Sequence, residues 1–71
     1  MAAYIVVYED YSPELFTTAK AMGARFSGHF LDEENTVPAT AQAITEAVKA
    51  EGSAYIYTEG GSEWAYKVFP A

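Results

Sequence analysis

Near the C-terminus, residues 53–58 and 63–69 form two alternating runs rich in aromatic and aliphatic side chains. Between them lies Glu59-Gly60-Gly61-Ser62. A period of two interrupted by a glycine pair reads as a β-hairpin with a two-residue primed turn at Gly60-Gly61, both glycines at positive φ. That register sets Tyr57 opposite Trp64, Ile56 opposite Ala65 and Tyr55 opposite Tyr66, and Pro70 stops the second strand. No other segment constrains the fold as much, because a shift of one residue would send every side chain of a strand to the other face.

The rest of the chain supplies what this hairpin packs against. Residues 3–8 are aromatic or β-branched apart from Ala3 and read as a strand. Ser12-Pro13-Glu14 has the residue types of a helix start: a capping hydroxyl, a proline at the first helical position and an acid at the positive end of the dipole. Leu15, Ala19, Met22 and Phe26 follow at helical spacing, with Phe16 beside them, and Gly23 reads as the stop. Residues 24–31 alternate and favour a short strand weakened by Gly28, with a continued irregular helix as the other reading. After the polar loop Asp32–Thr36, a second helix is expected from Pro38 to about Glu51. Its apolar stripe is Val37, Ala41, Ile44 and Val48, and Gly52 ends it.

The predicted order is β-α-β-α-β-β: one α+β domain over residues 1–71, a small sheet with two helices on one face and a C-terminal hairpin. Alternation places Ala3, Ile5, Val7, Ala54, Ile56, Ala65 and Phe69 on the helix-facing side, with Lys67 among them. Tyr4, Val6, Tyr8, Tyr55, Tyr57, Trp64, Tyr66 and Val68 then form an open aromatic face.

A chain of 71 residues without cysteine has no disulfides, no thiolate metal site and no thiol chemistry. Its core must come from the 51% of residues that are hydrophobic, a fraction too high for disorder. Lys and Arg number 4 against 10 Asp and Glu, a net charge of -6, which argues against direct nucleic-acid binding. The N-terminus lacks the basic segment and long apolar stretch of a signal peptide, and no apolar run approaches a membrane span. A soluble, cytoplasmic protein is expected.

Residues capable of catalysis are sparse. His29 is the single histidine and has no nucleophile motif beside it, so it reads as a surface or half-buried residue. Asp32-Glu33-Glu34 lacks the spacing of a cation loop, and Glu59-Gly60-Gly61-Ser62 lacks the lysine and following helix of a phosphate loop. Glu9, Asp10 and Glu14 would serve as acid and base only around a pocket, for which so short a chain has little material. No enzyme, cofactor or metal is expected.

Two surface features remain. One is the aromatic face, with Tyr57 and Trp64 as its candidate anchors, since Tyr and Trp give large contact area at low entropy cost. The other is the spread of acid: Glu9, Asp10 and Glu14; Asp32, Glu33 and Glu34; Glu59 and Glu63 about the hairpin turn. Spaced carboxylates can occupy positions that phosphates would otherwise fill on a basic groove.

In length, acidity, lack of cysteine, α+β plan and an N-terminal Ala2-Ala3-Tyr4-Ile5 strand, the chain resembles the small phage-encoded anti-CRISPR proteins that act on type I surveillance complexes. Those families are mutually unrelated, so the resemblance assigns no residue. It implies inhibition by binding, with an acidic, DNA-mimicking face set on a basic surface of a Cas subunit where DNA should enter. The chain would be monomeric in that role. The alternative from the residues themselves is an interaction or homodimerising module that uses the aromatic face, with the acid serving solubility. A small enzyme built around His29 is the third class.

Overall fold

The computed structural model describes residues 3–8, 13–61 and 63–71. Its strands are β1 (Tyr4–Tyr8), β2 (Glu14–Phe16), β3 (Ala54–Tyr57) and β4 (Trp64–Pro70). Its helices are α1 (Ala19–Arg25) and α2 (Ala41–Glu51). The strands form one antiparallel sheet in the order β2-β1-β4-β3. The α+β class, the two helices and the C-terminal hairpin are as expected. So is the element order, if the bridge residue Phe30 stands for the middle strand and β2 is added after β1.

β2 replaces the expected helix start. Pairing with β4 leaves the other edge of β1 bare at the buried residues Tyr4 and Val6, and buried backbone needs hydrogen-bond partners. Residues 14–16 supply them: Val6 pairs with Glu14, Ile5 with Leu15 and Tyr4 with Phe16. Pro13 directly precedes this edge strand, where a missing N–H is tolerated. The helix starts later, where the Thr18 side chain accepts a hydrogen bond from the Ala21 N–H at 3.1 Å. Leu15 therefore leaves the expected helical stripe, while Met22 and Phe26 keep it and are fully buried. Ser12, the expected cap, lies outside the described residues.

Gly23 does not stop α1 but lies inside it. Residues 24–31 are a helix end and a turn rather than a strand, and Gly28 takes positive φ (83°). Phe30 alone reaches the sheet, bridging Tyr57 on one side and Pro38 on the other. That bridge keeps Pro38 extended, so α2 begins after Thr40, whose side chain accepts from the Ala43 N–H. Gly52 ends α2 in the left-handed region (φ 86°), as expected. Ile44 and Val48 of the stripe are buried, whereas Val37 is exposed.

The hairpin departs from its expected register by one residue. Tyr57 does pair with Trp64, but Ile56 pairs with Tyr66, Tyr55 with Lys67 and Ala54 with Val68. Ala65 is the extra residue of a bulge in β4. The turn also sits one residue earlier: Gly61 N–H donates to Thr58 C=O at 3.0 Å, and Gly60 takes positive φ (77°). Gly61 does not, against expectation.

These shifts rearrange the faces. Tyr4, Val6, Ala54, Ile56 and Val68 are buried beneath Met22, Phe26, Ile44 and Val48. Tyr66 joins them partly, its ring 5.3 Å from Phe26. The expected assignment is thus right for β3, reversed for β1, and changed in β4 after the bulge. Ile5, Val7 and Phe69 alternate with buried residues and stand on the face away from the helices.

Candidate protein-binding surface

The outer sheet face is built in rows by the strand register. Leu15, Ile5 and Phe69 lie side by side across β2, β1 and β4. Val7, Lys67 and Tyr55 form the next row across β1, β4 and β3. The Trp64 ring packs at 5.4 Å from Tyr55. Lys67 does not interrupt this surface, because its ammonium lies over the Tyr55 ring at 4.7 Å and the Phe69 ring at 4.9 Å. Leu15 is 62% exposed, Tyr55 41% and Trp64 40%. The expected anchor Trp64 is on this face, and Tyr57 is half-buried at its margin, held by the Phe30 bridge. Leu15, Ile5 and Phe69 were missed, since a helix was expected at 15 and β1 was expected to face the other way.

The acidic groups divide. Glu9 and Asp10 lie outside the described residues. Glu14 sits on β2 beside Arg25 of α1, its Oε1 3.5 Å from Nε. Asp32 organises its own loop: its carboxylate accepts from the Thr36 and Val37 N–H groups at 2.9 and 3.0 Å and from the Thr36 hydroxyl. The Thr36 hydroxyl, then the Val37 N–H, hold the Asp32 carboxyl below its ordinary value. Asp32 therefore holds the 32–36 loop in shape.

The other acids gather. Asn35, at φ 59°, accepts from the Gly60 N–H on Oδ1 at 2.6 Å, which ties the 32–36 loop to the hairpin turn. Two clusters far apart in sequence thereby meet at one end of the molecule, with Glu33, Glu34, Glu59 and Glu63 all exposed. Asn35 carried no sequence signal beyond its tolerance of the left-handed region.

His29 packs edge-on against Phe26 and Tyr66, at 5.7 and 5.6 Å, beside an open groove of ≈ 510 Å³. A second open groove of ≈ 380 Å³ flanks β3. The chain thus has more concave space than its length suggested. Among the described residues no three His, Asp or Glu side chains converge as a metal set, and no helix is long and apolar enough to cross a membrane. Comparison with family models, curated proteins and solved structures finds no match.

Proposed function

We propose that the chain is a non-enzymatic protein-binding module whose contact surface is the outer sheet face. The observation that carries this is the row of apolar side chains left uncovered there, from Leu15 through Phe69 to Tyr55 and Trp64. Exposed, contiguous aromatic and aliphatic surface of this kind marks interaction sites. Capture of a binding partner from host lysate tests it. Trp64→Ala and Leu15→Glu abolish capture if the face makes the contact, and capture unaffected by both sinks the proposal.

A second reading is favoured by the Asn35–Gly60 hydrogen bond, which draws Glu33, Glu34, Glu59 and Glu63 together. On this reading the chain is a monomeric anti-CRISPR-like inhibitor acting in a bacterial cytoplasm. Its acidic end sits on the basic DNA-reading surface of a type I Cas subunit and keeps target DNA out. Adding the chain to a purified type I surveillance complex should then suppress target-DNA binding, less so at high salt. Undiminished DNA binding at saturating chain argues decisively against mimicry.

A further inference from the structure

β3 is an edge strand, and part of its edge is open. The Tyr57 N–H and C=O both bond Phe30, at 2.7 and 2.9 Å, on the side away from β4. Backbone groups alternate in direction along a strand, so the Tyr55 N–H and C=O point the same way. Neither has a hydrogen-bond partner among the described residues. The chain does not continue along this edge beyond Phe30. Leu31 N–H donates to Val37 C=O at 2.8 Å, and the Asp32 carboxylate holds the Thr36 and Val37 N–H groups, which turns residues 31–37 away. The ≈ 380 Å³ groove lies beside the bare edge, with Leu31 and Ala47 on its apolar side and Glu51 at its rim.

We infer that this edge takes up an extended segment of a basic protein partner, added as an antiparallel strand in line with Phe30. An unpaired N–H and C=O on one strand edge are matched by another extended backbone. Antiparallel addition lets one residue of the partner exchange both hydrogen bonds with Tyr55. Leu31 and Ala47 accept an apolar side chain from the incoming strand. Glu51 and the net charge of -6 favour flanking Lys or Arg and oppose a second copy of this chain. The inference goes beyond the proposed function, since it concerns the sheet edge and not the outer face.

The test uses the full chain, ¹⁵N-labelled, and the peptide acetyl-Lys-Val-Lys-Val-Lys-amide at millimolar concentration. Amide exchange at Tyr55 should slow by about 10-fold or more on adding the peptide. The same peptide N-methylated at all three lysines, whose N–H groups face Tyr55 when the valines enter the groove, should give no such protection. Glu51→Lys, on the exposed side of α2, should weaken the effect several-fold, and Ala47→Arg should remove it by filling the groove. Perturbation confined to Leu15, Phe69 and Trp64 with Tyr55 exchange unchanged overturns the inference while leaving the outer-face reading intact. Tyr55 protection that rises with protein concentration before peptide is added assigns the edge to a second copy and also overturns it. Absence of protection at millimolar peptide does the same.

Discussion

Gly23 of α1 lies so close to Ala41 of α2 that a Cβ built on Gly23 would stand 2.5 Å from the Ala41 Cβ and 2.7 Å from its Cα. Gly23→Ala gains about 1 kcal/mol of helix propensity but overpacks this contact, which costs about 1–3 kcal/mol. Backbone cannot move aside as a flexible side chain would. The expected outcome is net destabilisation, read as a lower urea midpoint at unchanged slope. Ala41→Gly in the Gly23→Ala background should recover part of the loss. A higher midpoint for Gly23→Ala alone would show that the helices separate freely.

Asn35 holds both a left-handed backbone and the bond to Gly60. Asn35→Ala should destabilise by about 1–3 kcal/mol, combining a lost hydrogen bond with left-handed strain. Asn35→Gly keeps the backbone conformation and loses only the side-chain hydrogen bonds, to Gly60 N–H and to the Asp32 and Thr58 carbonyls, so it should be the milder change. Equal midpoints for the two variants would remove the backbone contribution.

Asp32 makes stability depend on pH in a stated direction. Its folded carboxyl is held below the ordinary value of 3.8, so the unfolded chain takes up its proton first as pH falls. The stabilisation is complete above that ordinary value and is lost as pH falls through the lower folded one. Asp32→Asn lacks it. Stability of the two proteins should therefore differ most near neutral pH, and the gap should narrow in acid. A gap that stays constant in acid would contradict the loop's reliance on the ionised carboxylate.

The two functional readings separate by substitution. Glu33→Lys, Glu34→Lys, Glu59→Lys and Glu63→Lys together reverse the acidic end and spare Asp32, whose loss would disturb the loop. If the outer face binds, these reversals change affinity by less than about tenfold, while Trp64→Ala costs about 2 kcal/mol or more. If the acidic end binds, the order inverts and the salt dependence of binding falls with it. Isothermal titration at two ionic strengths against one purified partner distinguishes the outcomes.

Gly61 departs from expectation in a way that can be measured. Its φ is not positive, but an added Cβ would stand 2.7 Å from Thr58 Oγ1. Gly60, at φ 77°, has open space around it, but a side chain there would strain the backbone. Gly60→Val should destabilise by about 1–3 kcal/mol through backbone strain. Gly61→Val should cost less once Thr58 is also changed to Ala, since the clash is with a movable hydroxyl. Gly60→Val and Gly61→Val with identical midpoints, both insensitive to Thr58→Ala, would show the turn to be placed differently.

From the amino-acid order alone came the elements whose causes are local. Gly52 ends α2 because a left-handed position favours glycine, and residues 4–8 form a strand because β-branched and aromatic side chains fit a pleated surface. The Tyr57–Trp64 pair followed from the spacing around the glycines. What needed tertiary structure was every choice between competing partners. Residues 14–16 have the local chemistry of a helix start, yet β1 had an edge to satisfy, so they became β2 and Leu15 moved to the outer face. The bulge at Ala65 sent Tyr66 inward against Phe26 and brought Lys67 outward over Tyr55. Asn35 joined two acidic clusters across 25 positions of sequence. Hydrogen bonds and packing between distant segments outweigh local propensities of a few tenths of a kcal/mol per residue, so faces and sites are decided where the segments meet.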